Sequence, residues 1–578
     1  MTDFVEDINT DKTNFHCEDF LNIASSSEHK NKILITPIGG LEQIGGNCML
    51  VGLNDEYIMI DMGISFWGQY GIDIILPDIR IPAYVKDKIK GLFITHAHED
   101  HIGAVQHCWP QVKCPIYVTE FSHSVLRQRI SSHHWFDEVP VHKVDVGEVV
   151  DLGNMKIEFV RMSHSILGAC GIYVKTDHGS IFHTGDWKID KDPLIGDKTD
   201  EKRIIEIGKE GVDCLLCDST NIHASSKITS ESEVSAGLKR VIEQYSDKRI
   251  SVTCFASNLA RIAAILKIAK ENNRKVAVVG HSMNRMLEAI ESTSYYTDDF
   301  KQILSGVIDI EEAVDLPHEQ VLILCTGSQG ETRASLSKIS RGANSILKYD
   351  DRDVIIFSSK VIPGNELDIR DLQNQLVKMG AKVVTTETEK DIHVSGHPDK
   401  DNISTLYSWL KPNAVIPIHG DAIMIYAHRD FATQCGIKNV LISESGDTIE
   451  LSKGGALKKI NHAHIVPNII DGEDIIPQNH FVVRERSYMS VSGHVSISVV
   501  LSENYLIQSI IYTVSGIYLE KKRKEKIDKL IKSAVRNNLY QYVNNKKRAY
   551  FAVESAVERL MIQHMKKRPV VSVHIHSS

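Results

Sequence analysis

The chain has 578 residues, 42% of them hydrophobic and 24% charged, with a formal net charge of −9. This is the composition of an ordinary globular protein, too long for one core and suggesting about three or four domains. No apolar run approaches the roughly 18–20 residues that span a bilayer, so no membrane role is expected, and the average charge argues against a nucleic-acid partner.

The N-terminus, MTDFVEDINTDKTNFHCEDF, is acidic and polar. It lacks the basic and apolar regions of a secretory signal, so a cytoplasmic protein with a flexible tail over 1–31 is expected. Ten cysteines follow no framework, which fits a reducing compartment. The close pair Cys214 and Cys217 sits in a buried-strand pattern and reads as core. From 33 to 63 short apolar runs alternate with glycine turns (KILITPIGG, NCMLVGL, YIMIDMG), which predicts consecutive antiparallel strands. GGLEQIGGN lacks the Lys-Ser/Thr of a P-loop and reads as a turn. GLFITH is a further strand with the helix-like HIGAVQHC behind it, and strands recur at 115–118, 156–162, 171–176 and 180–184. Sheet packed on sheet is the implied architecture.

After about 222 the rhythm changes to strand and helix in alternation, from helix 232–245 and RISVTCFAS to AKVVTTE. That spacing predicts a parallel sheet of βαβ units, inserted in the first domain because NAVIPIHGD (413–421) again ends in histidine chemistry. From about 456 the character shifts once more. GEDIIP reads as a linker, followed by two strands, two helices and a final strand whose His574 and His576 mark an exposed edge. Residues 521–548 carry eleven Lys or Arg against two acids, a local +9 that leaves −18 on the rest. A solvated helix face accounts for this without any partner.

The densest chemistry is FITHAHEDHIGAV, 93–105. Unsatisfied polar groups behind a core strand cost roughly 2–7 kcal/mol each, so the stretch reads as a site. His96 and His98 are two apart, and an extended backbone points both the same way. Asp100 and His101 follow the turn into a helix and can face a second ion. Imidazole and carboxylate suit Zn²⁺ and its first-row neighbours. Further ligands stand at the ends of later strands: His164 in VRMSHSILG, Asp186 in IFHTGDWK and His419 in VIPIHGD.

The order ID(61)MG, HAHEDH, SHS, TGDWK resembles the metallo-β-lactamase superfamily. DSTN (218–221), HVSGHP (393–398) and IHGD (418–421) are similar to the motifs of its β-CASP nucleic-acid-processing branch. FASN, VVGHSM, TGSQGE, FSSKVIPGNE and HVSGH resemble the bacterial ribonuclease J family, from about residue 33 to the C-terminus. The resemblance implies an α/β fold: a metallo-β-lactamase αββα sandwich over 32–222 and 396–455, an inserted β-CASP parallel α/β domain over 223–395, a linker over 456–475 and a small α+β C-terminal domain over 476–578. It implies two Zn²⁺ per subunit, with Mn²⁺ as substitute. His96, His98 and His164 would hold one ion, Asp100, His101 and His419 the other, Asp186 would bridge them, and Asp61 would support without ligating. Water activated between the ions would attack phosphorus in line, with His397 as general acid oriented by Asp218.

Ser257 and Asn258 sit where a strand opens into a helix, a place that favours anions and, equally, ordinary capping. The resemblance makes this segment, with His393, Val394, Ser395, Gly396 and His397, the pocket for a 5′-phosphate, Gly396 permitting close approach. Asp73, with Asp471, resembles a structural divalent-ion site, expected to take Ca²⁺. The family implies a homodimer or homotetramer acting on 5′-monophosphorylated RNA, as 5′-to-3′ exonuclease and endonuclease in RNA maturation and decay, and membership of an RNA-decay assembly. Histidine in the third β-CASP motif favours RNA over DNA by analogy. The alternatives are a DNA-processing β-CASP nuclease, a small-ester metallohydrolase, which has no use for the insertion, and a non-catalytic RNA-binding scaffold, which has no use for a full ligand set. Trp187 in TGDWK and Asp421 in IHGD depart from the commoner phenylalanine and glutamate without touching a ligand.

Overall fold

The computed structural model describes residues 26–224, 230–362, 364–504, 506–542 and 545–577. Most of the tail expected over 1–31 lies outside them. Its last residues are held in place: His29 Nδ1 lies 2.6 Å from Glu450 Oε2, and Asn31 N donates to Asn54 Oδ1 at 2.8 Å. The chain divides into two compact units, one running to Ser65 and resuming over Leu76–Ile465, the other made of Phe66–Ile75 and Val466–Ser578.

The first unit contains two sheets face to face. The eight-stranded sheet runs, in spatial order, 456–462, 447–452, 33–39, 48–53, 56–60, 89–93, 116–118 and 141–143. The seven-stranded sheet runs 149–151, 156–161, 170–176, 179–183, 214–218, 414–418 and 439–440. The predicted antiparallel run over 33–63 is present, Ile33 facing Leu53 and Leu53 facing Glu56. Alternate residues of the two sheets, among them Ile35, Val51, Ile60, Phe93, Phe159, Ile172 and Leu216, meet in one buried core. The other face of the seven-stranded sheet (Val160, Tyr173, Phe182, Leu215) is covered by helices Glu201–Glu210 and Lys400–Leu410 through Ile204, Ile207, Leu406 and Leu410. Cys214 and Cys217 belong to these cores, and burial pushes both thiols well above their ordinary range.

Between strands 214–218 and 414–418 the chain builds a six-stranded, fully parallel sheet in the order 307–308, 275–279, 321–325, 249–253, 353–357 and 382–384. Helices cover both of its faces. The chain then returns and pairs Ala414–Ile418 in parallel with Cys214–Asp218, so the insertion leaves and re-enters the sandwich on neighbouring strands.

The second unit is a three-stranded sheet, 507–515, 494–501 and 570–577, whose residues Val495, Ile497 and Val499 pack against helices Lys521–Gln541 and Lys546–Met565. The strand carrying His574 and His576 is an edge, and both rings are exposed. A four-stranded sheet adds 65–69 and 72–76 to the hairpin 468–471/474–477. The segment read as a linker is therefore mostly strand. Ala456–His462 pairs with Asp447–Ser452, and Asn468–Asp471 pairs with Asp474–Pro477. Asp471-Gly472, with Gly472 at φ 65°, closes a hairpin between apolar runs, a turn signal that the acidic look of GEDIIP obscured.

One buried ion pair ties the insertion together. Arg261, fully buried in the helix Leu259–Glu271, donates to Glu231 at 2.8 and 2.9 Å and to Ser358 Oγ at 2.7 Å. Burial raises the Glu231 carboxyl, but Arg261 and Lys188 outweigh it and hold it at about 2. A depressed carboxylate stabilises the fold above its unfolded range near 4.5 and loses that contribution as pH falls toward 2. Arg261→Leu, which strands the buried carboxylate, is expected to destabilise the protein by about 3–5 kcal/mol. Adding Glu231→Gln should recover part of the loss, as read from thermal unfolding of the single and double variants.

Candidate metal centre

Most residues of the site stand at or just past the end of a strand. Phe93 ends its strand, Thr95 and His96 follow, His98 is extended, and the short helix Glu99–Ile102 turns Asp100 and His101 round. His164 follows strand 156–161, Asp186 follows 179–183, Asp218 ends 214–218 and His419 follows 414–418. Asp61 (φ 60°) and His419 (φ 52°) hold left-handed backbone, a strain that non-glycine residues accept mainly where function requires it. Gly63 is obligatory for space, since a Cβ there would lie 1.7 Å from the carbonyl oxygen of Asp100.

Two ligand sets converge on the two oxygens of one carboxylate. His96 Nε2, His98 Nδ1 and His164 Nε2 gather with Asp186 Oδ2: His98 Nδ1 lies 3.1 and 3.0 Å from the other two nitrogens, and each of those lies 3.7 Å from Asp186. Asp100, His101, Asp186 and His419 form the second set, with His101 Nε2 3.2 Å from Asp186 Oδ1 and His419 Nε2 3.1 Å from Asp100 Oδ2. A third group joins Asp186, Asp218, His397 and His419.

Hydrogen bonds orient these rings. Thr95 Oγ1 donates to Asp61 Oδ2 at 2.8 Å, so at 3.0 Å it accepts from His96 Nδ1. His101 Nδ1 donates to Asp61 Oδ2 at 2.7 Å, and His164 Nδ1 to the Gly396 carbonyl at 2.7 Å. Thr220 Oγ1 donates to the His419 carbonyl at 2.9 Å and accepts from His419 Nδ1 at 2.7 Å. Each bond occupies Nδ1 and leaves the Nε2 lone pair facing inward, the usual outer support of a metal-binding histidine.

The electrostatics ask for a cation. Burial holds His96 and His164 well below their ordinary range and His98 at about 4, so these rings are neutral donors. Burial also pulls on His101 and His419, but Asp186 with its neighbouring carboxylates holds both well above it. Asp186 Oδ1 is buried without a hydrogen bond, and His98 Nδ1 lies about 3 Å from two other imidazole nitrogens with at most one proton to share between them. Four donors per set, imidazole with carboxylate, suit divalent zinc or its neighbours.

His397 lies at the edge, its side chain 23% exposed, with Nδ1 2.8 Å from Asp218 Oδ2. Burial lowers this ring, but Asp218 and Asp186 outweigh it and raise it. Glu99 turns away and pairs with Arg129.

The segments expected around a phosphate are linked by groups that sequence reading passed over. Asn258 Oδ1 caps its helix by accepting from Arg261 N at 3.0 Å, and its amide donates to Glu231 at 3.3 Å. Arg261 in turn approaches His393 Nδ1 at 3.4 Å. Asn258 is therefore committed to the fold, while Ser257 stays half-buried beside it. In the HVSGH loop Val394 is buried and Ser395 Oγ accepts from His397 N at 3.1 Å. The close approach at Gly396 is to a ligand: a Cβ there would meet the His164 ring at 2.8 Å. Asp73 and Asp471 join no group of three or more metal-competent side chains among the described residues, and Arg486 engages the Asp471 carboxylate at 2.7 and 2.8 Å. Sequence reading also missed Asn47, Thr95 and Thr220. Asn47 Nδ2 reaches His101 Nε2 at 3.1 Å and the Asp100 carbonyl at 3.0 Å; the glycine pair before it was its only signal.

Comparison with known proteins agrees with this architecture. Residues 56–254 match a β-lactamase superfamily domain, 247–376 the ribonuclease J β-CASP domain, 381–442 a Zn-dependent metallo-hydrolase RNA specificity domain and 481–578 the ribonuclease J C-terminal domain. Ribonuclease J of Sinorhizobium meliloti is 35% identical over 82% of this chain and 84% of its own. Ribonuclease J of Helicobacter pylori strain B128 is 30% identical over 95% and 80%. A crystal structure of an Enterococcus faecalis protein of unknown function covers 73% of this chain and all of its own with a TM-score of 0.52 at 15% identity, a likeness of fold. With these matches spanning both sheets of the sandwich, the insertion and the C-terminal unit, the chain belongs to the ribonuclease J family.

Proposed function

We propose that this protein is a ribonuclease that hydrolyses RNA phosphodiesters with two divalent ions, zinc in preference to manganese, both from a 5′-monophosphorylated end and internally. The observation that carries the reading is the pair of four-ligand sets sharing Asp186. The choice of RNA over DNA or a small ester draws on the match of 381–442 to an RNA specificity domain and on relatives named Ribonuclease J. Ions held by His96, His98, His164 and Asp186, and by Asp100, His101, His419 and Asp186, would supply a nucleophile at neutral pH and charge stabilisation on the phosphoryl group.

The chain's own residues do the rest. Asp61, Thr95, Thr220 and Gly396 fix the rings, so no reorganisation is required as charge develops. Asp218 fixes His397 through Nδ1 at 2.8 Å and favours its protonated form. That leaves Nε2 to give a proton to the departing oxygen. Ser257 and the backbone of His393–Gly396 offer donors for a terminal phosphate, which would select monophosphorylated ends. Assembly as a homodimer or homotetramer, and within an RNA-decay complex in the cytoplasm, belongs to the same proposal; sedimentation of the purified protein tests its first part.

RNAs carrying a 5′-monophosphate, 5′-triphosphate or 5′-hydroxyl and a 3′ label should be degraded from the 5′ end fastest when monophosphorylated. Equal rates on the hydroxyl end would remove the phosphate pocket, and equal rates on matched DNA would remove the preference for RNA. His397→Ala should lower kcat by about 10²–10⁴-fold, with metal content unchanged. Because the carboxylates hold protons on His101 and His419 in the metal-free protein, metal uptake at pH 7 should release about two protons per chain. Calorimetry in buffers of different ionisation enthalpy measures that release, which should vanish above the range in which those rings titrate.

A further inference from the structure

The basic segment 521–548 takes no part in the metal centre, and its geometry gives it a role. Helix Lys521–Gln541 buries one face, Ile527, Ile531, Val535 and Leu539, in the core of the C-terminal unit. The opposite face carries Lys522, Lys526, Lys529, Ser533, Arg536 and Tyr540, spaced four, three, four, three and four residues apart, and all six are exposed. Spacings of three and four keep side chains on one helical face, so the six form a continuous stripe. Its cations, from Lys522 to Arg536, extend over about 21 Å at the α-helical rise.

Among the described residues no ion pair within 4 Å neutralises Lys522, Lys526, Lys529 or Arg536; the pair formed on this helix joins Asp528 to Lys532. Lys521, Lys522, Arg523, Lys524 and Lys526 crowd the first turns, where the helix dipole is already positive and cations are disfavoured. Such an arrangement is stabilised by a bound anion. The stripe ends on the ring of Tyr540, 55% exposed, and Tyr518, four residues before Lys522 in the chain, is 87% exposed; exposed rings of this kind can stack on bases.

We infer that this stripe, none of whose residues belongs to the metal centre, is a second RNA-binding surface, holding the phosphate backbone of single-stranded RNA without regard to sequence. The choice of RNA as polyanion rests on the ribonuclease reading. A membrane fits less well, because the helix's apolar face is already buried and cannot enter a bilayer interface. An acidic protein fits less well because the stripe lacks the central apolar anchors of protein interfaces. The surface would let a chain of net charge −9 hold a polyanion, since a local +9 lies on the segment that contains the stripe.

The test compares the full chain with its Lys522→Gln, Lys526→Gln, Lys529→Gln, Arg536→Gln variant, all four changes being on the surface. Binding of a phosphorothioate-protected single-stranded RNA of roughly 30 nucleotides is titrated against salt by fluorescence anisotropy. The expected result is at least a ~10-fold weaker affinity at low salt. The slope of log K against log salt should become shallower by about 0.7 for each phosphate contact removed. Turnover of an RNA of roughly 5 nucleotides should be unchanged, which also shows that the variant is folded. An unchanged slope with normal turnover of the short RNA would overturn the inference and leave the ribonuclease reading standing. Absence of any RNA turnover by the unaltered chain would instead overturn that reading. Loss of binding to anionic-lipid vesicles or to polyglutamate, with RNA binding intact, would overturn the inference in favour of those partners.

Discussion

One buried carboxylate sets the terms for the whole site. Asp186 presents Oδ2 to three neutral imidazoles and Oδ1 to a second set of histidine and aspartate, and it sits too deep for water to screen it. Burial opposes its charge, yet His101, His419 and His397 hold the group well below the ordinary carboxylate range. An anion in such a place is tolerable only with compensating positive charge on both sides. In the metal-free protein His101 and His419 supply it on the Oδ1 side, while the neutral rings of His96, His98 and His164 leave it to a cation on the Oδ2 side.

The fold meets it by bringing strand ends together. His96, His98, Asp100 and His101 come from one sheet, while His164, Asp186 and His419 come from the other. The faces that meet between the sheets are apolar and fix their separation through residues such as Phe93, Phe159 and Ile416. His419 arrives only because the insertion hands the chain back beside Cys214–Asp218. The same return carries the HVSGH loop in, so that Gly396 anchors His164 and His397 meets Asp218. The chain returning from the insertion thus supplies both the carbonyl that holds the His164 ring and the imidazole that pairs with Asp218.

The residues gathered into the two metal-competent groups stood out in the sequence because such groups concentrate rare residue types behind apolar runs. HAHEDH, SHS, TGDWK and IHGD all announce strand ends. The outer hydrogen bonds did not, since Asn47, Thr95 and Thr220 are unremarkable until topology places them against a ring. The alternating strands and helices of the insertion gave its parallel sheet directly. The short helices Asp298–Leu304 and Ile310–Asp315 escaped notice because each has barely two turns of periodicity. GEDIIP misled for a similar reason: four-residue strands carry too little alternation to outweigh an acidic, glycine-containing composition. Asn258 reads as able to cap its helix and to face a phosphate; the cap is present, and the buried Arg261 and Glu231 that bind its side chain are linked by no local sequence pattern.

The central claim is that two ion sites share Asp186 and that RNA hydrolysis depends on both. Elemental analysis of the dialysed protein and of its His164→Ala and His419→Ala variants, set beside RNA turnover by the same samples, tests it most directly. Two divalent ions per chain are expected for the unaltered protein and about one for each variant, with turnover abolished in both. Full turnover by either variant, or an unaltered chain that is active with no bound ion, would contradict the account.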